Sequence, residues 1–279
     1  MKDGTLSPQE EIILRKILDG ILTERGVDFR GYRSKCLWRR VVAAMHDINI
    51  NDAGEYLGAL KKDPKAYDKL LNKITINVSE FFRNPETFFA VRDKVIPELI
   101  RRKRLKGSKV IKIWSAGCAT GEEPYSIAIL LKEIFKGENA SFQANIYATD
   151  IDEEALQKAR AGRYKRTALR ELSSEQIEKN FIKESEEYYS ISPELKTNIK
   201  FVYHNMIAEP KFNKIDLIFC RNVIIYFNKS LQRQVYENFH KILAEDGYIV
   251  AGKVEALMGI GEDLFERVSL SERIFKKKV

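Results

Sequence analysis

Long apolar runs, paired cysteines and clustered histidines are all missing from this 279-residue chain. No hydrophobic stretch reaches the ~18–20 residues that a membrane-crossing helix needs, so direct membrane insertion is not expected. The N-terminus, MKDGTLSPQEE, has no apolar segment behind its first lysine and does not read as a secretory signal. Cys36, Cys118 and Cys220 are scattered and odd in number, which fits a reducing cytoplasm better than a disulfide framework. His46, His204 and His240 lie far apart and give no metal-site spacing, so no metal is expected. What the chain does have is 44% hydrophobic residues, enough for a core, and a net charge of +8, which favours acidic partners. Nucleic acid and an acidic protein surface both satisfy that charge.

Up to about Ile76 the chain reads as short helices: Leu14, Ile17, Leu18, Ile21 and Leu22 recur at helical spacing, as do Leu37, Val41 and Met45. Asn84-Pro85-Glu86 resembles a cap with proline at the first helical position, opening a helix toward Arg104. The basic break from Arg101 to Lys106, before Gly107-Ser108, places a domain junction there. The texture then changes. Val110–Trp114, Asn145–Ala148, Ile199–Tyr203, Ile215–Cys220 and Gly247–Ala251 read as strands, with helices at about 121–135, 153–161 and 229–243. Strands alternating with helices predict a parallel α/β sheet wound in the Rossmann manner. A terminal pair around Phe265–Lys277, with Ser271 near its turn, predicts an antiparallel hairpin at one edge. Tyr188, Tyr189 and Ile191 suggest a small β insertion.

The segment IKIWSAGCATGEEPYS runs a strand into a small-residue loop and then a helix, so backbone can approach a ligand closely. Asp150, ending the next strand, is placed to hydrogen-bond a ribose diol. An NAD site would use both features. Glu122 and Glu123 discriminate, because a dinucleotide puts its pyrophosphate at the helix N-terminus, where two carboxylates repel it. S-adenosylmethionine has no phosphate, and its sulfonium and ammonium tolerate nearby acid. Either glutamate could instead simply stabilise the helix start, worth ~0.3–1 kcal/mol.

Five blocks occur in order: INVSEFFRN (Ile76–Asn84), SAGCATGEEPYS (Ser115–Ser126), ATDID (Ala148–Asp152), HNM (His204–Met206) and FCRNVIIYF (Phe219–Phe227). Together they resemble the signature set of the CheR-type chemotaxis protein-glutamate O-methyltransferases, over nearly the whole chain. The resemblance implies an all-helical N-terminal substrate-recognition domain (1–80), a linker helix (81–107) and a Rossmann-like S-adenosylmethionine methyltransferase domain (108–279) with a small β-subdomain inserted at about 180–200. It implies that Asn77, Ser79, Arg83, Glu123, Asp150, Asn205, Met206, Arg221 and Asn222 bind S-adenosylmethionine, and its product S-adenosylhomocysteine. In that set Glu123 takes the methionine end and Asp150 the ribose. Asn205 and Met206 flank the adenine, and Arg221 with Asn222 closes the far side. Arg83 and Tyr226 would stand at the reacting atoms as the catalytic pair. Serine at 79 stands where the family often has threonine. Gly252-Lys253-Val254-Glu255 replaces a common Gly-His-Ser-Glu run, which puts any role of that histidine in doubt. Phe81 and Phe82 are expected to pack, and Cys118 and Cys220 to be small loop and strand-end residues.

The implied acceptor is a glutamate carboxylate, ionised at neutral pH and already nucleophilic, so the absence of a catalytic histidine is consistent. Arg30, Arg33, Lys35, Arg39 and Arg40 cluster in FRGYRSKCLWRR, and Lys35 and Arg39 can share a helix face. Arg33, Lys35, Arg39 and Arg40 are therefore the substrate-binding candidates, facing glutamate-rich cytoplasmic helices of chemoreceptors. The expected enzyme is a cytoplasmic monomer that esterifies receptor glutamates for sensory adaptation and binds no nucleic acid. The compact insertion FIKESEEYYSISPEL predicts no tether to a receptor C-terminus. Two rivals are an RNA methyltransferase and a noncatalytic S-adenosylmethionine-binding signalling scaffold. The stretch CRNVIIYF has no proline where amino-methylating DNA enzymes carry one, and an NAD oxidoreductase ranks last.

Overall fold

Ser7 opens the first helix, α1 (Pro8–Arg25), with a reciprocal cap: the Glu10 amide donates to the Ser7 hydroxyl at 3.3 Å, and the Ser7 amide to the Glu10 carboxylate at 2.7 Å. Leu14, Ile17, Leu18 and Ile21 form its buried stripe, and Gly26, at φ 69°, ends it in the left-handed conformation that glycine adopts without strain. The computed structural model describes residues 6–75, 79–209, 212–255, 257, 259 and 261–278. Three more helices, α2 (Ser34–Asp47), α3 (Ala53–Lys62) and α4 (Ala66–Ile74), complete a helical unit around Leu37, Val41, Leu60 and Leu70. The distant segment Ile225–Gln232 belongs to this unit as well. There Tyr32 pairs with Phe227 in an antiparallel bridge, and the Arg33 amide donates to the Tyr226 carbonyl at 2.8 Å.

The second unit comprises Asn77–Ile224 and Arg233–Val279. It begins with α5 (Pro85–Ala90), a π-helical turn (Val91–Val95) and α6 (Ile96–Leu105). The segment expected as a linker helix is thus part of this unit, because Phe88, Val91, Val95, Ile96, Leu99 and Ile100 are buried in its core. Asn84 does precede the helix, with Pro85 in the first turn, but its side chain makes no capping bond. Then follow β1 (Val110–Ala116), α7 (Glu122–Ile134), β2 (Gln143–Asp150), α8 (Glu153–Ala161), β3 (Arg163–Lys165), α9 (Ser174–Asn180), β4 (Phe181–Lys183), β5 (Tyr188–Ile191) and α10 (Pro193–Lys196). The chain continues through β6 (Ile199–Tyr203), β7 (Ile215–Cys220), α11 (Lys229–Ile242), β8 (Leu243–Ala251), β9 (Phe265–Ser269) and β10 (Ile274–Lys277).

The main sheet has the order β6-β2-β1-β7-β8-β10-β9. Its first five strands are parallel, and the terminal hairpin adds antiparallel to β8, as the sequence predicts. Every residue of β7 is buried, as a central parallel strand requires. That burial includes Asp216, whose carboxylate accepts from the Lys112 amide at 2.8 Å and pairs with Lys103 at 2.8 Å. A second, antiparallel sheet, β3-β5-β4, carries the inserted β element. It reaches outside 180–200 because β3, Arg-Tyr-Lys, is too short to show a period. The strand order reverses at β1, between β2 and β7, so a crevice is expected at the carboxyl ends of β1 and β7. No helix among the described residues is long and apolar enough to cross a membrane.

Candidate active site

The loop from Gly117 to Gly121, between β1 and α7, lies at that crevice. Gly117, at φ 78°, leaves no room for a side chain: a Cβ there would stand 2.6 Å from Val223 Cγ2 and 3.4 Å from Met206 Cε. The amides of Gly117 and Cys118 both donate to the Thr149 carbonyl, at 2.8 and 3.0 Å, and tie the loop to the end of β2. Asp150 tightens the same tie. Its Oδ2 accepts from the Ala119 amide at 2.8 Å and its Oδ1 from the Asp152 amide at 3.0 Å. A carboxylate has about four acceptor positions, so these two bonds leave it able to accept from a diol.

Glu123, on the first turn of α7, is largely buried at the same crevice, with its side chain 13% exposed. Ser115 Oγ donates to its Oε1 at 2.7 Å, and Arg221 Nη1 lies 3.6 Å from its Oε2. Burial raises the Glu123 carboxyl above its ordinary range, with Arg221 opposing, and burial lowers the Arg221 guanidinium despite Glu123. Both partners are shifted toward their neutral forms, so desolvation outweighs their attraction. A ligand cation at Glu123 relieves that imbalance. Glu122 is buried: Thr120 Oγ1 bonds both its oxygens, at 2.9 and 2.7 Å, and the Ser79 hydroxyl is a further partner. It is therefore held inside a hydrogen-bonded loop rather than exposed at a helix start.

Arg221, at the carboxyl end of β7, gathers the rest. Its Nη2 donates to the Arg83 carbonyl at 2.6 Å and to Asn84 Oδ1 at 2.9 Å, which is where the Asn84 side chain goes instead of capping α5. The Phe82 amide bonds Ser126 Oγ at 2.9 Å, fixing 80–84 against α7, while Phe81 packs edge-on to Tyr164 and Phe181. Ser79, Arg83, Glu123, Asp150 and Arg221 thus belong to one unit, as do Asn205, Met206 and Asn222. Met206 is buried with its sulfur 4.0 Å from Cys220 Sγ, and Asn205 Oδ1 accepts from the Ile207 amide at 3.0 Å. Asn77 lies outside the described residues. Burial pushes the Cys118 and Cys220 thiols well up, so neither is a nucleophile.

Sequence reasoning overlooked Glu255 as a site residue. Its Oε1 accepts from the amides of Val223 and Ile224, each at 2.8 Å, and its Oε2 from Gly252 at 2.6 Å. This buried carboxylate clamps the turn after β7, where Asn222 sits at φ 62°. The available signal was an acid between apolar residues just beyond the last parallel strand.

The other candidates lie in the helical unit. Lys35 and Arg39 are exposed on α2 and Arg40 is half-buried; none of the three has an ion pair among the described residues. Arg33 differs, because its Nε donates to the Phe227 carbonyl at 3.1 Å and so holds the segment that contains Tyr226. Tyr226 is half-buried in that segment. Arg30 is occupied by Asp28, 2.6 Å away.

Two further atoms test whether S-adenosylmethionine suits the crevice. Arg221 Nε and Asn222 Oδ1 are buried without a hydrogen-bond partner among the described residues. A donor for a carboxylate, an acceptor, a largely buried glutamate for an ammonium and an aspartate for a diol match the ligand's polar groups. Glu122 and Glu123 sit at the start of α7, where a dinucleotide would bring its pyrophosphate, and the nearby Arg221 cation is already paired with Glu123. Because Glu123 is raised above the ordinary carboxylate range and must be ionised to hold an ammonium, acid weakens binding as pH falls through its raised pKa. Affinity for S-adenosylhomocysteine, titrated calorimetrically from mildly alkaline to mildly acidic pH, will be level at first. It will then fall before ordinary carboxylates titrate, and that fall will be smaller in Glu123→Gln, where only Asp150, also raised by burial, still titrates against the ligand.

Fold and site together define an S-adenosylmethionine-dependent methyltransferase, and residues 77–274 match the family model described as CheR methyltransferase, SAM binding domain. Residues 13–75 match the model for the CheR methyltransferase all-alpha domain. A Pseudomonas putida protein that carries the methyltransferase name Cher3 is 34% identical over 275 residues, covering 96% of this chain and 97% of its own. The chemotaxis protein methyltransferase of Listeria monocytogenes is 32% identical over 233 residues (84% of this chain, 86% of its own), and that of Klebsiella aerogenes 30% over 278 (97% and 92%). The chain belongs to the CheR methyltransferase family.

Proposed function

We propose that this enzyme methylates glutamate side chains of chemoreceptors, forming methyl esters for sensory adaptation, and that it does so as a cytoplasmic monomer. The observation that carries the reading is the largely buried Glu123 beside Ser115 and Arg221 at the Gly117–Gly121 loop, a carboxylate that suits an ammonium and stands where a dinucleotide would bring its pyrophosphate. When bound, S-adenosylmethionine supplies an electrophilic methyl group for displacement by a carboxylate oxygen. Glu123 binds the methionine ammonium and Arg221 the methionine carboxylate. Asp150 holds the ribose, Asn205 and Met206 flank the adenine, and Asn77, Ser79 and Asn222 complete the pocket. Arg83 orients the acceptor oxygen, and Tyr226 is the second catalytic candidate. The acceptor is an ionised carboxylate, so no side chain has to remove a proton, and alignment supplies most of the rate.

The helical domain, within 1–80, recognises the acceptor. Lys35, Arg39 and Arg40 attract glutamate-rich receptor helices, and Arg33 adds its charge while bracing the Tyr226 segment. Transfer of labelled methyl to a purified receptor cytoplasmic fragment tests the reading. The expected label is released as methanol by mild base, the mark of an ester. Base-stable label, or label on RNA instead, would replace this proposal with an N-methylating or RNA enzyme, and no transfer by a protein that binds cofactor would leave a scaffold. Tyr226→Phe is expected to lower kcat by ~tenfold or more with S-adenosylhomocysteine affinity nearly unchanged, since it removes only the hydroxyl proposed to act at the reacting group.

A further inference from the structure

The two faces of the main sheet are not covered alike at its β6 edge. In β2, Ala144, Ile146 and Ala148 are buried, whereas Gln143 and Asn145 on the opposite face are exposed and Tyr147 is only half-buried. The cross-strand row Trp114–Tyr147–Lys200 lies on that second face. At its inner end Trp114 is buried under Phe239 of α11, with ring centroids 5.2 Å apart. Further out, Tyr147 stacks on Phe212 at 5.1 Å, Lys200 is exposed, and Val202 is 42% exposed. A doubly wound sheet normally carries a crossover helix here. The connection from β6 to β7 has none among its described residues. It is nevertheless held in place, because the Ile207 carbonyl accepts from Asn238 Nδ2 at 3.1 Å.

A recess of about 380 Å³ results, lined by Tyr147, Val202, Phe212, Lys112 and Lys200 among others, and by no carboxylate. Neither lysine amine has an ion pair among the described residues. We propose that this face docks an acidic amphipathic helix of a partner protein, which occupies the place of a crossover helix not present among the described residues. An apolar stripe of such a helix covers Tyr147, Val202 and Phe212, and its flanking carboxylates meet Lys112 and Lys200. Single-stranded nucleic acid also uses lysines and aromatic rings. Here Tyr147 and Phe212 occupy one face of each other and Trp114 is covered, which favours a helix over stacked bases. The proposal does not rest on the identity of the methyl acceptor.

The test uses the full chain, ¹⁵N-labelled, and three probes: a synthetic amphipathic helix of about 18 residues with a leucine stripe flanked by glutamates, the same peptide with lysine for glutamate, and an oligouridylate. The glutamate peptide is expected to shift the amides of Tyr147, Lys200, Val202 and Phe212, and the lysine peptide is not. Lys112→Glu with Lys200→Glu, and separately Val202→Asp, should each weaken binding at least tenfold while S-adenosylhomocysteine affinity stays that of the parent, which certifies the fold. Three results overturn the proposal: no binding, binding indifferent to these variants (as when the peptide sits on α2), or tighter binding of oligouridylate at the same amides.

Discussion

Asp150→Ala will weaken S-adenosylhomocysteine binding by tenfold or more, ~1.4 kcal/mol, in a calorimetric titration. The substitution removes the acceptor proposed for the ribose diol and also frees the Ala119 and Asp152 amides that the carboxylate now holds. A hydrogen bond to a charged group contributes ~1.5–3 kcal/mol, so the loss at the ligand alone reaches the stated factor. Asp150→Asn keeps one carbonyl acceptor and should fall between the two. Thermal unfolding separates the causes: the ligand-induced rise in Tm shrinks in Asp150→Ala even where the ligand-free Tm is close to that of the parent. Undiminished affinity in a folded Asp150→Ala protein would remove Asp150 from the pocket and with it the ribose assignment.

Glu255→Ala should have the largest effect on stability, about 3 kcal/mol or more in urea unfolding, because three amides lose a charged acceptor in a buried turn. Removing the carboxylate also recovers its burial cost, which is what raises its pKa despite those amides, so the net loss is smaller than three bonds taken separately. Glu255→Gln is informative for a geometric reason. Its carbonyl oxygen can still serve Val223 and Ile224, but its NH₂ would face the Gly252 amide, donor against donor. Asn222, held at positive φ by this clamp, will lose its orientation in the alanine variant, so cofactor affinity should fall along with stability. A stable Glu255→Ala protein with parental affinity would show that the turn holds itself.

The parallel sheet and its glycine loop were legible because long alternating segments carry strong periodicity, and because a strand ending in Ala-Gly-Cys-Ala-Thr-Gly before two glutamates has few physical uses. Other features left no such trace. The π turn at Val91–Val95 is invisible because the apolar positions on both sides continue a helical pattern. Asn84 resembles a cap by type, yet Arg221, 137 residues away in sequence, takes its side chain. Arg33 reads as one cation in a basic run, and only the return of Ile225–Gln232 to the helical unit gives it the Phe227 carbonyl. Glu255 was missed for the same reason, since its partners come from a turn some thirty residues upstream. Pairings of this kind depend on which loops meet, and local pattern carries no record of that.

Arg221 bears on the order in which substrates arrive. One guanidinium faces the ammonium site at Glu123 and simultaneously grips the backbone of Arg83, the residue assigned to the acceptor. Under the proposed roles, filling the pocket would therefore also set the acceptor's contact. That coupling predicts ordered addition, with the methyl donor first. Its product, S-adenosylhomocysteine, would compete with the donor while remaining noncompetitive toward the protein that receives the methyl group.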